Sequence, residues 1–301
     1  MHRWLLRSLA GGRGALAGSW GHDAAVLRPS GGREVACTDQ TIEGVHFARG
    51  TSAAAVGRKA VARALSDIAA TAARPRAVLV ALHAPRATDE RWIRDALRAA
   101  RDTARAAGAE LVGGDLAAAP GPRSLAVTAL GVLEGRRRPP GRDRARPGQI
   151  VLLSGPVGGS SLGRHLAIVP RLALGRFLHR AGATALMDVS DGLALDLARL
   201  AERSGVRIDL EAIPVHPDAR RLARRTGRLA QDHALSDGED HELLATLAAA
   251  AVPRLLAAAC RRFPGLAVVG RVRRGRGLWL RAAESGALAP WSGTGGWIHG
   301  T

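Results

Sequence analysis

The stretch Cys37–Phe47 carries several side chains of types that take part in chemistry. Thr38 and Asp39 follow a short strand-like run, and Glu43 and His46 come next within one short loop. Hydroxyl and carboxylate oxygens at the end of a strand suit a hard cation such as Mg²⁺. A solvated turn is the alternative interpretation, because Asp, Thr and Gly are common where a strand passes into a loop.

Similar acidic groups recur along the chain, in segments that border apolar residues. Asp67 lies between Leu65 and Ile68, where it either caps a helix or binds a ligand. Asp188 follows an apolar run and should point into a place that favours charge, whereas Asp191 also suits the first turn of a helix. The groups are Asp23, Ser66–Asp67, Gly113–Asp115, Asp188–Asp191 and Ser236–Glu242.

Two glycine-containing segments are candidates for phosphate binding. Gly113 and Gly114 let backbone amides approach a phosphate closely, and Asp115 beside them is placed to hold the accompanying metal. Residues 154–160 form a second Gly-rich loop before a short helix, but they lack the Gly-Lys-Ser/Thr of a P-loop. A structural turn is therefore the favoured interpretation of the second segment.

The composition indicates a large core and limits the classes of partner. The chain has 301 residues, 47% apolar and without Tyr, so Ala, Leu and Val must fill the core of two ordinary domains. The formal net charge is +18, and Lys59 is the only lysine among 44 strongly basic residues, so the other 43 are arginine. The arginines are spread along the chain without the aromatic interleaving that stacks bases, so a small anionic substrate fits better than nucleic acid.

Cysteine use and hydropathy favour a cytoplasmic protein without a membrane partner. Cys37 and Cys260 lie far apart and indicate neither a disulfide framework nor a thiolate metal site. No apolar run reaches the ~18 residues that a membrane helix needs. The first residues are basic and free of acids, as in a targeting peptide, but Gly and Arg interrupt them too early for an export signal.

Hydrophobic periodicity predicts alternating strands and helices in two domains. Helices are expected at Ala53–Ala73 and Asp89–Ala107. A segment rich in Arg, Gly and Pro, residues 135–147, marks the boundary. The predicted domains are residues 1–140 and residues 141–301.

The acidic groups together predict one site for several Mg²⁺ ions. Such ions serve mainly to neutralise the phosphates of a nucleotide or of a phosphorylated substrate. Neither a Ser–His–acid triad nor a pair of glycosidase carboxylates is apparent. The residues therefore favour phosphoryl transfer as the reaction class.

Five motifs resemble, in the same order, those of the thiamine-monophosphate kinase family. They are Thr38–Phe47, Leu65–Ala70, Gly113–Asp115, Asp188–Leu193 and Gly238–Leu243. The Asp-Val-Ser-Asp-Gly motif is shared with the wider superfamily of aminoimidazole ribonucleotide synthetase and selenophosphate synthetase. The Glu-Gly-Val-His-Phe and Gly-Glu-Asp motifs are narrower, and the resemblance extends from about Gly21 to the C-terminus.

The resemblance implies a fold, an activity and a set of site residues. The fold would be a two-domain one of the aminoimidazole ribonucleotide synthetase type, α/β to α+β. Its N-terminal sheets would pair across a homodimer, and its C-terminal domain would be α+β. The activity would be ATP-dependent conversion of thiamine phosphate to thiamine diphosphate.

The resemblance also implies roles for individual residues. ATP would contact Gly114, Asp115, Arg142 and Ser190, and thiamine phosphate would contact His46, Glu239 and Trp297. The ligands of the Mg²⁺ ions would be Asp23, Cys37, Thr38, Asp39, Asp67, Asp115, Asp188 and Asp191.

No side chain is expected to act as a catalytic base. The acceptor phosphate is already an oxyanion near neutral pH, since its second pKa is ~6. The reaction instead requires that two mutually repelling anions be brought into line, for which Mg²⁺ and Arg142 are suited.

Three alternatives stay open at this point. His22, Cys37 and His241 differ from the residues usual in the family, as does the turn after Arg142. Because of these differences, a member of the superfamily that acts on another substrate is the first alternative. A nucleotide-binding paralogue without activity and a nucleic-acid-binding protein are the other two. Because the metal carboxylates remain, an active kinase is the favoured hypothesis.

Overall fold

The computed structural model describes residue 15 and residues 27–281, 286–293 and 295–297. The chain forms two compact units, which are described separately. The first unit holds the described residues up to Ile68, together with Ala73–Arg136 and Leu166–Leu172. The second unit holds the remaining described residues. The chain changes from the first unit to the second mainly between Arg136 and Arg137, within residues 135–147.

The described part of the first unit is a four-stranded sheet with two helices. The strands occur in the order β1-β4-β2-β3; β4 is antiparallel to β1 and β2, and β2 is parallel to β3. The strands are β1 (Arg33–Ile42), β2 (Arg74–Ala84), β3 (Glu110–Ala118) and β4 (Ser124–Leu133). The helices are α1 (Ala53–Ala70) and α2 (Glu90–Ala106). Both helices were predicted from the sequence, and Asp89 caps the start of α2 through a hydrogen bond from the Arg91 amide.

The two faces of this sheet have different surroundings. One face carries the buried residues Leu125, Val127 and Ala129, which pack with both helices in a core built mainly from Ala, Val and Leu. The opposite face carries the small, half-exposed residue Ala126 and its cross-strand partners Gln40 and Ala81. We call this second surface the open face.

The second unit contains a seven-stranded sheet in the order β11-β10-β7-β9-β5-β8-β6. Its strands are β5 (Gln149–Leu153), β6 (Ala185–Asp188), β7 (Arg207–Leu210), β8 (Leu243–Ala248), β9 (Ala267–Arg273), β10 (Gly277–Arg281) and β11 (Leu288–Pro290). Its helices are α3 (Leu172–Ala181), α4 (Leu193–Ser204), α5 (Pro217–Thr226), α6 (Ala230–Ser236) and α7 (Val252–Ala259). Three short 3₁₀ turns occur at Ser160–Leu162, Arg164–Leu166 and Ala249–Ala251.

The second unit's core lies between α4 and the centre of the sheet. Leu193, Leu197 and Leu200 on α4 are completely buried and belong to one cluster with residues of β5 and β6. β5 is buried along its whole length and pairs on both sides, with β8 and β9. None of the helices in the described part of the chain is both long and apolar enough to cross a membrane.

The structure corrects one expectation about the first strand. Thr38 and Asp39 were expected at the end of a strand, with a loop after them, but β1 continues to Ile42 and pairs residue by residue with β4. The alternation of side chains along a strand then places Thr38 and Asp39 on opposite faces of the sheet.

Gly57 allows the two helices of the first unit to approach each other. A Cβ atom added at Gly57 would lie 2.0 Å from the carbonyl oxygen of Ala96 on α2. Replacing a helical glycine by alanine ordinarily stabilises a protein by about 1 kcal/mol. We expect Gly57→Ala to destabilise the protein instead, by about 1–3 kcal/mol, because the helices must move apart.

Urea denaturation of the purified protein measures this change in the free energy of unfolding. Arg58→Ala, at the exposed neighbouring position on the same helix, is the control and should shift stability by less than about 0.5 kcal/mol. A Gly57→Ala protein as stable as the wild type would show that the helices do not pack as closely as described.

Candidate functional site

Cys37 and Asp39 lie on the face of β1 that is directed towards α1. The Cys37 thiol donates a hydrogen bond to the carbonyl oxygen of Ala64, with a sulfur–oxygen distance of 3.2 Å. The Asp39 Oδ1 lies 3.6 Å from the Arg63 Nη2, and Arg63 also donates to the carbonyl oxygen of Gln40. Helix α1 therefore supplies a positive charge beside Asp39 and holds the backbone next to it.

Asp67 follows Arg63 one turn later on the same helix. It is half-buried, and its neighbour Ser66 is completely buried. Both residues lie inside α1, so the interpretation of Asp67 as a cap at a helix start does not apply. The interpretation of Asp67 as a ligand stays a prediction.

Thr38 and Asp115 lie on the open face. The Thr38 hydroxyl shares a hydrogen bond of 2.9 Å with Thr128 on β4. Asp115 is exposed and pairs across β3 and β2 with Ala81. The predicted metal ligands of the first unit are thus divided between the two faces of its sheet, with Thr38 and Asp115 on one and Cys37 and Asp39 on the other.

Gly114 has a structural reason to be glycine. A Cβ atom there would lie 1.9 Å from the carbonyl oxygen of Val80 on the adjacent strand. The close approach of the β3 and β2 backbones therefore requires glycine whether or not a phosphate binds. The predicted contact between Gly114 and ATP stays a prediction.

The loop after β1 fixes the ring of His46. The His46 Nδ1 accepts a hydrogen bond of 3.1 Å from the Ile42 amide, and the His46 amide donates to the Ile42 carbonyl. A ring nitrogen that accepts a hydrogen bond carries no proton, so the proton of this imidazole is on Nε2. His46 is therefore held as a neutral ring with Nε2–H as a donor, and Lys59 donates to its carbonyl oxygen.

Glu43 in the same loop forms a paired interaction with Arg123. The Arg123 Nε and Nη2 donate to the two Glu43 carboxylate oxygens at 3.0 and 2.6 Å, and the guanidinium lies 4.6 Å from the ring centroid of Trp92. The hydrogen bonds from Arg123 lower the pKa of Glu43 below its usual range, although burial opposes this. These groups line a cavity of ≈ 710 Å³ together with Arg49 and Asp89.

In the second unit, Asp188 ends β6 in a buried place. It is 3% exposed; its Oδ2 lies 3.2 Å from the His241 Nδ1 and its Oδ1 lies 4.0 Å from the Arg142 Nη2. The sequence predicted that Asp188 lies where a charged group is favoured. In the structure, the side chains of His241 and Arg142 lie beside its carboxylate. The His241 Nε2 is buried and has no hydrogen-bond partner among the described residues.

Asp196 is a residue that sequence reasoning missed. Its Oδ2 accepts hydrogen bonds of 3.0 Å from the amides of both Ser190 and Asp191, and Arg199 pairs with Asp196 and Asp191 together. Burial, aided by the charges of Asp191 and Asp188, raises the pKa of Asp196 to about 7, although the hydrogen bond from the Asp191 amide opposes the rise.

The sequence contained a signal for Asp196. It lies three residues after Leu193 and four before Leu200, so it falls on the buried stripe of α4. An acid on such a stripe must find donors inside the protein. Here those donors are the backbone amides of the loop that carries Ser190 and Asp191.

The acidic segment Ser236–Glu242 binds the Gly-rich loop of residues 154–160. The Asp240 carboxylate accepts hydrogen bonds from the Gly158 amide and from the Arg164 guanidinium, the latter at 2.7 Å. The Asp237 carboxylate accepts from the Gly159 amide at 2.8 Å. Burial raises the pKa of Asp240 to about 6, while Arg164 opposes the rise. Amides of this loop thus donate hydrogen bonds to carboxylates of the same protein, as expected for a segment that forms a structural turn.

The backbones of Glu239 and Trp297 are both hydrogen-bonded to the Asp188–Leu193 motif. The Glu239 amide donates to the Ser190 carbonyl at 2.7 Å, and the Trp297 amide donates to the Asp191 carbonyl at 2.8 Å. Glu239 has a φ of +52°, a left-handed conformation that a non-glycine residue seldom adopts. The Trp297 side chain is 49% exposed. The structure therefore brings Ser190, Asp191, Glu239 and Trp297 together.

The carboxylates of both units are the type of ligand that suits Mg²⁺. No three His, Cys, Asp or Glu side chains converge to hold a metal ion by themselves anywhere in the described ranges. Magnesium ordinarily keeps several waters and binds through one or two carboxylates and the substrate's phosphates, so isolated carboxylates fit it. Asp23 lies outside the described residues.

The fold and the N-terminal sequence define the class of the protein. Residues 21–133 match the family described as AIR synthase related protein, N-terminal domain. The crystal structure of a thiamine-monophosphate kinase from Stenotrophomonas maltophilia has a TM-score of 0.79 and 34% sequence identity, covering 96% of this chain and 95% of that one. The expected two-domain fold of mixed α/β type is thereby confirmed.

The relatives narrow this class to one family. A thiamine-monophosphate kinase of Rhodopirellula baltica is 38% identical over 279 residues, 88% of this chain and 86% of the relative. A further structure, of AaThiL complexed with AMPPCP and TMP, has a TM-score of 0.76 at 27% identity and covers 91% of this chain and 90% of that one. The chain belongs to the thiamine-monophosphate kinase family.

The Glu43–Arg123 pair makes a testable contribution to stability. We expect Glu43→Gln to lower the free energy of unfolding by about 1–3 kcal/mol at pH 7, because Arg123 loses a charged hydrogen-bond acceptor. The pKa of Glu43 is lowered in the folded protein, so its stabilisation is present above the unfolded pKa and is lost as the pH falls through the folded pKa.

Urea denaturation at several pH values tests both statements. The difference between wild type and Glu43→Gln should shrink as the pH falls below about 4.5. Glu134→Gln removes an exposed partner of Arg74 and is the matched control, with an expected change of at most about 1 kcal/mol. Equal losses for the two variants at pH 7 would contradict the assignment.

Proposed function

We infer that this chain is an ATP-dependent kinase that phosphorylates the phosphate group of thiamine phosphate, giving ADP and thiamine diphosphate. The observation that carries this function is the similarity to thiamine-monophosphate kinases over nearly the whole chain. A protein of this family has been crystallised with TMP and an ATP analogue, AMPPCP. The retained carboxylates and the neutral His46 support the same activity.

The roles of individual residues are proposals. His46, Glu239 and Trp297 bind thiamine phosphate, and the Nε2–H of His46 is suited to donate to a phosphate oxygen. Gly114, Asp115, Arg142 and Ser190 bind ATP. None of these groups needs to remove a proton, because the acceptor phosphate is already ionised near neutral pH.

Magnesium would be held by Asp23, Cys37, Thr38, Asp39, Asp67, Asp115, Asp188 and Asp191. When bound, it neutralises the phosphates of the two anionic substrates. Several of these side chains have their own partners in the protein, such as Arg63 beside Asp39 and Arg199 beside Asp191. Those arginines hold the carboxylates in place. The number of metal ions and the cytoplasmic location stay predictions.

Asp39→Asn tests the metal role and the reaction together. With Mg²⁺, ATP and thiamine phosphate, the wild type should form thiamine diphosphate and ADP in equal amounts. We expect the variant to lose on the order of 10²-fold in kcat/KM, the size of effect seen when one electrostatic contact to the transition state is removed. Coupled ADP release and chromatography of the thiamine products measure both quantities.

Asp102→Asn, which alters an exposed carboxylate on α2, is the control and should retain wild-type activity. Thermal unfolding shows whether Asp39→Asn remains folded. A wild type that binds ATP with Mg²⁺ but forms no thiamine diphosphate would favour another substrate or a non-catalytic role. His22, Cys37 and His241 would then be the residues to replace first.

We also propose that the protein is a homodimer whose subunits meet through the open face. In the described part of the first unit both helices pack on one face of the sheet, and the other face carries small side chains such as the exposed Ala81 and the half-exposed Ala126. Gln40 and Thr38 lie on the same surface. A second copy of this sheet is an occupant of matching shape and small side chains.

Ala126→Arg should break this dimer, because it puts a long charged side chain in the middle of the open face. Light scattering should give the wild type about twice the mass of one 31.3 kDa chain, and Ala126→Arg the mass of one chain. Ala54→Arg, at an exposed position on α1, should remain dimeric. A monomeric wild type, or a dimeric Ala126→Arg, would contradict the proposal.

A further inference from the structure

Lys59 is an exception to the composition of the chain. It is the only lysine among 44 strongly basic residues. It is also completely buried, with 0% of its surface exposed, whereas an ordinary lysine lies at the surface. A chain that uses arginine at every other strongly basic position therefore uses lysine at one position inside the core of the first unit.

The ammonium group of Lys59 contacts the loop that carries His46. Its Nζ donates a hydrogen bond to the carbonyl oxygen of His46. Four residues later on the same helix, the Arg63 Nη1 donates to the carbonyl oxygen of Gln40 at 2.7 Å. Side chains four residues apart lie on one face of a helix, so α1 holds the segment from Gln40 to His46 by two backbone carbonyls.

The contacts of His46 show what Lys59 adds. The His46 Nδ1 accepts from the Ile42 amide and the His46 amide donates to the Ile42 carbonyl, so the ring and backbone are held to the end of β1. Lys59 holds the third polar group, the His46 carbonyl. Together these bonds fix the direction in which the Nε2–H of the imidazole points.

Arginine does not suit this place. A guanidinium is a planar group with five N–H donors, all of which need acceptors when it is buried, whereas an ammonium is compact and has three donors. The side chains next to Lys59 on the buried side of α1, Val56 and Ala60, are completely buried as well. A close-packed core has no space for the larger group without rearrangement.

We propose that Lys59 is a positioning residue for the substrate: its ammonium fixes the loop so that His46 is presented to the phosphate of thiamine phosphate. The proposal rests on the proposed function, because it takes His46 as a contact of that substrate. Lys59 acts through His46 and does not itself touch ATP. Its removal should therefore affect one substrate more than the other.

Steady-state kinetics of Lys59→Met and Lys59→Arg test this separation. We expect both variants to raise KM for thiamine phosphate by roughly tenfold or more, since misplacing a binding group by a fraction of an ångström is costly. The KM for ATP should stay within about twofold of wild type. Arg58→Lys, at the exposed neighbouring position, is the control and should keep both KM values. Unchanged KM values, or equal rises for both substrates, would overturn the proposal.

The single lysine also gives a direct measurement on the wild-type protein. Labelling with ¹⁵N at the lysine side chain produces one ammonium resonance, which should be visible because burial slows exchange with water. We expect this resonance to shift when thiamine phosphate is added, and to shift less with an ATP analogue. An ammonium resonance lost to rapid exchange in the folded protein would overturn the assignment without any variant.

Calorimetry of thiamine phosphate binding separates the two ways in which the proposal can fail. Binding without any response of the Lys59 resonance would overturn the role of Lys59 and leave the proposed function standing. No binding and no turnover in the wild type would overturn the proposed function, and the role of Lys59 with it.

Discussion

The pairing of buried or half-buried acids with donors from the same chain is the interaction on which the rest of the structure depends. A carboxylate removed from water is stable as an anion only where hydrogen bonds or positive charges replace the water. Arg63 beside Asp39, Arg164 beside Asp240 and Arg199 beside Asp191 supply those charges. Backbone amides supply the rest, at Asp196 and at Asp237.

These pairings explain why the loops of the second unit have fixed shapes. The Asp196 carboxylate accepts hydrogen bonds from the amides of the Ser190–Asp191 turn. The carboxylates of Asp240 and Asp237 accept hydrogen bonds from amides of the Gly-rich loop. Each bond is modest by itself, but leaving a buried amide or carboxylate without a partner is expensive. The positive φ values of Glu239 and His241 are tolerated because the surrounding bonds determine the backbone there. Residues that we propose to bind a ligand, such as Ser190 and Asp191, are thereby held in place by the protein itself.

Sequence reasoning predicted both described helices of the first unit, the mixed fold and the family, but it could not place the side chains on the right faces. The extent of β1 was underestimated because its polar residues resemble a loop. Only the observed pairing with β4 shows that Thr38 and Asp39 point in opposite directions. Side chains alternate between the two faces along a strand, so the faces of Thr38 and Asp39 can be assigned only once the strand is known to continue through them.

The partners of the site residues were harder still to predict. Arg63 and Arg199 are ordinary basic residues in a chain full of arginine, and nothing in their spacing alone distinguishes them from solvent-exposed ones. Asp196 was within reach, since it falls on the buried stripe of α4. The sequence shows only that Lys59 is the single lysine of the chain. Its burial and its hydrogen bond to the His46 carbonyl, which the structure adds, indicate where it acts.

The excess positive charge has a simple use in phosphoryl transfer. Many arginines in the described part of the chain pair with its own acids, such as Arg123 with Glu43 and Arg164 with Asp240. The remaining net charge of +18 still attracts anions from a distance, and both substrates of the proposed reaction are anions. A long-range field of this kind raises the encounter rate at low salt and adds little at high salt. In the proposed site, recognition would then depend on fixed donors such as the Nε2–H of His46.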